Sequence, residues 1–195
     1  IHPGGAFQLN VALTWGMRTN GRTAQSIEYH NWTEAFRSTP LIDMDHLAGR
    51  ELRFWRDWVS HTEYDDYWDS VNIENKFDQI AAPALVMGGW YDLYAQNAFI
   101  NFNGLRLNGR TDEAKQSRLI VGPWPHALST STKTGDIDFG VNSMVDLESL
   151  ELRWFDHWMR GVDNGVADEA PLRLFIMGVN EWRDEHEWPW REPTG

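Results

Sequence analysis

Two short segments of this chain end in residues that can move protons. Gly88-Gly89-Trp90-Tyr91-Asp92 ends in a carboxylate, and Gly122-Pro123-Trp124-Pro125-His126 ends in an imidazole. Acyl transfer by a serine needs this pair of side chains. The imidazole takes the hydroxyl proton, and the carboxylate holds the imidazole in the right tautomer and stabilises its cation. Each residue alone has a plainer meaning, because an Asp after Gly-Gly is a common turn residue or N-cap and a His after proline a common loop residue. Their joint placement, each just past a short apolar run, makes Asp92 and His126 the candidate catalytic pair. Trp90, Tyr91 and Trp124 beside them are candidates to line a substrate pocket or, equally, to wedge the loops that hold the pair.

The elements that must position this pair are legible in the hydrophobic spacing. Ala84-Leu85-Val86-Met87 before Gly88-Gly89, and Arg118-Leu119-Ile120-Val121 before Gly122-Pro123, suit buried parallel strands. Between them Tyr94, Ala98 and Phe102 keep helical register up to Asn108-Gly109, so strand, helix and strand form a βαβ unit. In open α/β sheets, ligands and catalytic groups gather at the carboxyl edge of such strands. From Leu147 to Arg160, Leu147, Leu150, Trp154 and Trp158 form one helical stripe that Gly161 closes. Beyond Gly165, Leu172, Leu174 and Ile176 alternate with Arg173, Phe175 and Met177, as in an antiparallel strand, and Trp182, Trp188, Pro189 and Trp190 follow without helical period. That stretch reads as the opening of a separate β domain.

The first 70 or so residues have a different character. Phe7, Val11 and Trp15 mark one face of a helix over about Gly4 to Thr19, and Asn31 with Glu34 has the form of an N-cap and its partner, ahead of a helix that Thr39-Pro40 ends. A third helix is expected from about Asp45 to Ser60, with Leu52, Trp55 and Val59 on one stripe and Phe54 with Trp58 on another. This part reads as an all-helical insertion.

Composition excludes several classes. A net charge of −12 with no Lys/Arg run argues against nucleic acid, whose binding draws on clustered cations. The absence of cysteine removes disulfides, thiolate nucleophiles and Cys-ligated zinc. No run of about 18 apolar residues is present to span a bilayer, so no membrane partner is expected. The compartment, cytoplasmic or secreted, stays open, as does homo-oligomerisation. Twelve tryptophans read first as core and interface packing. Asp138-Phe139-Gly140 reads as a loop turn. His186 between Glu185 and Glu187 is no metal site in a strand, where neighbouring side chains diverge. Asp65-Asp66 and the acids around Asp184 read as solvated faces. The chain begins without Met and stops at Pro193-Thr194-Gly195, which fits a piece of something longer.

The segments GGWYD at 88–92, RLIVGPWPH at 118–126, GDIDFG at 135–140, LRWFDHWMRG at 152–161 and RLFIMGVNEWRDEHEWP at 173–189 closely resemble the CocE/NonD hydrolases. That family contains cocaine esterase, glutaryl-7-aminocephalosporanic acid acylases and α-amino acid ester hydrolases, and is related to Xaa-Pro dipeptidyl-peptidases. Gly4-Gly5-Ala6-Phe7, Pro40-Leu41 and Tyr67-Trp68 fit it more loosely, so the resemblance covers nearly the whole chain. It implies that Asp92 is the triad acid and His126 the triad base, in the chain order Ser, Asp, His of α/β-hydrolases. It also implies an α/β class built from a helical cap segment (1–70), the C-terminal half of an α/β-hydrolase core (71–165) and the start of a jelly-roll-like β domain (166–195).

Departures from the family pattern count as well. No serine here sits in a Gly-x-Ser-x-Gly elbow, so the nucleophile and the oxyanion donors are expected upstream, in the N-terminal half of the same hydrolase, and the chain alone is expected to be inactive. Leu93, Tyr94 and Ala95 occupy the stretch where family members acting on α-amino esters carry extra carboxylates. The reading is part of a serine hydrolase that cleaves a small ester or amide through an acyl-enzyme, with neither metal nor organic cofactor. The alternative is a binding module that keeps the fold without the chemistry. A metal-dependent hydrolase using Asp92 and His126 as ligands ranks last, for want of a second pair of ligands.

Overall fold

The computed structural model describes residues 7–19 and 31–189. They form two compact units, divided between Val71 and Asn72. The described part of the first unit is helical throughout, with α1 (Leu9–Thr19), α2 (Trp32–Arg37), α3 (Met44–Leu47), α4 (Arg53–Ser60) and α5 (Asp66–Val71). Asn31 caps α2 as its type predicts: its Oδ1 accepts the Glu34 amide at 3.2 Å, and its Nδ2 donates to the Glu34 carboxylate at 3.0 Å.

Two expectations for this unit need correction. The buried face of α1 is Ala12, Leu13, Gly16 and Met17, whereas Trp15 is exposed and lays its ring beside Phe54 and Trp58. The expected start of that helix at Gly4 lies outside the described residues. The helix expected over 45–60 is two helices, broken where Gly49 takes a φ of 116°. A buried carboxylate stabilises the break. Asp45 accepts the amides of His46 (2.9 Å) and Leu52 (2.8 Å) and pairs with Arg56 (3.0 Å), satisfying donors that a continuous helix would have used internally. Asp65 stands on a solvated face, as expected, with its side chain 43% exposed. It takes the Tyr67 amide at 3.1 Å and the His61 ring at 2.5 Å, and the His61 hydrogen bond is the main cause that lowers its pKa.

The second unit is built on one sheet. Its elements run β1 (Leu85–Gly89), α6 (Ala95–Asn108), β2 (Arg118–Gly122), a short hairpin of β3 (Lys133–Thr134) and β4 (Ile137–Asp138), α7 (Leu147–Arg160), β5 (Leu172–Ile176) and β6 (Glu181–Glu185). The spatial order is β1-β2-β5-β6, with the first three strands parallel and β6 antiparallel to β5. One face of the sheet buries Leu119, Val121, Leu172 and Leu174 against Ala98, Phe99 and Phe102 of α6. Each such aliphatic or aromatic side chain contributes roughly 1.5–3 kcal/mol on burial.

The separate β domain expected from residue 166 is not what forms among the described residues. β5 pairs directly with β2, Ile120 opposite Arg173, and so belongs to the same sheet as the βαβ unit. Its alternation fits the antiparallel pairing with β6, while the second face of the sheet is only partly covered at Arg173. A cleft of about 590 Å³ opens there between Ile120, Val141, Met144, Leu150, Arg173 and Trp182. Trp190 lies outside the described residues. α7 spans the expected residues, with Asp146 capping its start and Gly161 in the left-handed region after its end, and a charged cluster ties it down. Arg153 reaches Glu169 at 2.6 Å, and Glu169 in turn pairs with the largely buried Arg118 of β2.

Candidate active site

β1 and β2 end at the same level, and their pairing continues past the last strand residues. The Trp90 amide donates to Gly122 O at 2.9 Å and the Tyr91 amide to Trp124 O at 3.1 Å. Two glycines make this approach possible. A Cβ on Gly89 would sit on the Trp124 carbonyl, and one on Gly122 would fall within the Trp124 indole. The parallel ladder thus carries Asp92 and His126, 34 residues apart in sequence, to one point at the carboxyl edge of the sheet.

There His126 Nδ1 lies 3.0 Å from Asp92 Oδ2. With the carboxylate as acceptor, Nδ1 carries the proton and Nε2 keeps its lone pair for an incoming donor. The two side chains are exposed very unequally, 7% for Asp92 and 70% for His126. The carboxylate is fixed inside the turn, where its Oδ1 also accepts the Tyr94 amide at 2.9 Å and its backbone spans Gly89 O and the Ala95 amide. The imidazole stands open above it. A buried carboxylate holding an exposed imidazole by Nδ1 is the arrangement a general base requires.

Of the aromatic candidates, two have their indole N–H groups tied inward. Trp124 is 1% exposed and donates its indole N–H to Ser143 O at 2.8 Å, so it anchors the His126 loop and cannot line a pocket. Trp90 donates to Phe175 O at 2.8 Å and packs against Phe99 and Trp188, anchoring the Asp92 loop in the same way. Tyr91, 45% exposed with its ring edge near Phe139, alone of the three presents a large surface outward. The cleft beside Arg173 includes neither Asp92 nor His126.

Two residues in contact with the pair or its loops were not expected there from sequence. Tyr94 sets its ring 5.4 Å from the His126 imidazole, edge to face. Ser129, at a φ of 51°, bridges the His126 loop to the segment before α7: its hydroxyl donates to Val145 O and accepts the Val145 amide, both at 2.7 Å. The Asp92-x-Tyr94 spacing is that of an Asx turn and could have flagged Tyr94. Nothing in the spacing around Ser129 could have flagged its partner.

The X-Pro dipeptidyl-peptidase (S15) family matches residues 1–128. The chain belongs to that family. The CocE/NonD resemblance holds as well, since cocaine esterase from Rhodococcus sp. (strain MB1 Bresler) is 28% identical over 207 aligned residues. That alignment covers 96% of this chain and 35% of the esterase, so the chain spans about a third of the length of this relative. Two solved structures share the fold. An aminopeptidase from the marine sediment archaeon Thaumarchaeota archaeon superposes with a TM-score of 0.71 at 18% identity, over 96% of this chain and 32% of its own. An α-amino acid ester hydrolase superposes with a TM-score of 0.65 at 19% identity, over 95% of this chain and 31% of its own. Both place this S15 chain in the α/β class.

Proposed function

We propose that this chain supplies the acid and base of a serine hydrolase that cleaves an ester or amide through an acyl-enzyme. The observation that carries the reading is the 3.0 Å contact between His126 Nδ1 and Asp92 Oδ2 at the carboxyl edge of a parallel sheet. A serine hydroxyl attacks the acyl carbonyl while His126 Nε2 takes its proton. As the tetrahedral adduct collapses, the leaving group departs with that proton. Water then adds to the acyl carbon by the same route, giving its proton to Nε2, and the second adduct collapses to the free acid as the serine oxygen leaves and takes that proton back. Asp92 holds the imidazole and offsets its positive charge throughout.

In this reading the helical first unit is a cap segment and the sheet is the C-terminal half of the catalytic core. The nucleophile and oxyanion donors come from the N-terminal half of the same hydrolase, because no serine among the 195 residues has an elbow setting. The 195-residue chain alone is then inert. The scissile bond is an ester, the class named in the esterase relative, or an amide, the class named in the X-Pro dipeptidyl-peptidase family. The absence of carboxylates at Leu93, Tyr94 and Ala95 argues against an α-amino ester.

The test joins this chain to its upstream half and uses a fluorophosphonate probe. Labelling of a serine outside these residues, lost in His126→Ala, with kcat lowered on the order of 10⁴-fold in Asp92→Asn, is expected. Labelling and turnover indifferent to His126→Ala would overturn the assignment and leave a binding module with a hydrolase fold. Robust ester hydrolysis by the isolated chain would overturn the placement of the nucleophile.

A further inference from the structure

We infer that Tyr94 is a positioning residue for the His126 imidazole, acting on both members of the pair at once. The inference rests on the acid–base reading of Asp92 and His126 and goes beyond it. An imidazole that is 70% exposed and tied at one nitrogen can turn about χ2 or swing on χ1 at little cost. Among the described residues, the imidazole of His126 makes a hydrogen bond to Asp92 and an edge-to-face ring contact with Tyr94 at 5.4 Å, with 66° between the planes. The first fixes where Nδ1 points. The second limits the orientation of the ring plane, and so where Nε2 can lie.

The position of Tyr94 suits that task. It stands at the N-cap of α6, where its carbonyl accepts the Ala98 amide at 3.1 Å, so its backbone is held by a 14-residue helix packed on the sheet. Its own amide donates to Asp92 Oδ1 at 2.9 Å while Asp92 Oδ2 faces His126. One rigid residue therefore sets the carboxylate through its backbone and the imidazole through its side chain. Edge-to-face pairs bias a conformational equilibrium by roughly 2- to 10-fold, enough to decide the orientation of a ring that solvent leaves free. The hydroxyl plays no part in this, so phenylalanine should replace tyrosine without loss, and an aliphatic side chain should not.

The test is ¹⁵N-histidine NMR on the full chain. Wild type and Tyr94→Phe are expected to give a single Nδ1–H tautomer for His126 with a hydrogen-bonded proton protected from exchange. Tyr94→Leu is expected to lose that proton signal and give averaged tautomers, while the Asp92 and Ala95 amides keep their shifts and report an intact turn. A Tyr94→Leu chain with the wild-type tautomer and protected proton would overturn the positioning role, leaving the Asp92–His126 pair standing. Loss of the signal in Tyr94→Phe would also overturn it, by assigning the effect to the hydroxyl. Asp92→Asn separates the two levels: if the wild-type signal survives that substitution, the pairing itself is wrong and both readings fall.

Discussion

A single methyl group at residue 89 should separate the acid from the base. The Cβ of Gly89→Ala would collide with the Trp124 carbonyl oxygen and lie 2.7 Å from its carbon and 3.3 Å from Pro125 O. That carbonyl cannot easily turn away. Prolines 123 and 125 flank it and restrict the backbone, and the Trp124 indole is buried and tied to Ser143 O. The strain is relieved only by parting the two loops, which breaks the bond from the Tyr91 amide to Trp124 O. Overpacking of this kind costs about 1–3 kcal/mol and the lost hydrogen bond about 0.5–1.5, giving a destabilisation of about 2–4 kcal/mol. Urea denaturation followed by near-ultraviolet circular dichroism measures it, and ¹⁵N-histidine NMR reads whether His126 still donates to Asp92. Gly161→Ala is the control. It forces a side chain into the left-handed region at φ 67° but meets no atom within 4 Å, so it should cost about 1–2 kcal/mol and leave the His126 signal untouched. A Gly89→Ala chain within about 0.5 kcal/mol of wild type, with the His126 signal intact, would refute the close approach of the two loops.

Two further outcomes follow from the same packing. Ser129→Ala removes both hydrogen bonds to Val145 and should destabilise the second unit by about 1–3 kcal/mol, measurable in the same denaturation assay. Burial raises the Glu169 pKa, but hydrogen bonds and charge from Arg118 and Arg153 outweigh it and hold the carboxyl below its ordinary value. Its contribution is therefore fully present above the ordinary glutamate range and is lost as pH falls through the lowered value. Urea midpoints between pH 7 and pH 3 should fall less steeply for Glu169→Gln than for wild type, and parallel curves would count against the cluster.

The sequence by itself determined the pieces that local chemistry writes. Periodicity and capping residues gave α2, α6 and α7, and apolar runs ended by glycine gave β1 and β2. Asp92 and His126 were legible only together, each just past a short apolar run and each ending a segment that resembles the CocE/NonD pattern, because either alone reads as an ordinary turn or loop residue. Tertiary structure decided what depends on a partner remote in sequence. Whether β5 opened a new domain or joined the old sheet turned on which strand filled the edge of β2, and an alternating pattern is the same in both cases. The break at Gly49 depended on a carboxylate finding Leu52 and Arg56 in a fold that buries it. Trp124 became an anchor because Ser143 supplied a buried carbonyl for its indole. Tyr94 met His126, 32 positions further along the chain, only because the ladder between β1 and β2 continued beyond the strands. Residue type sets which bonds a side chain can make, and burial by distant segments sets which of them it does make.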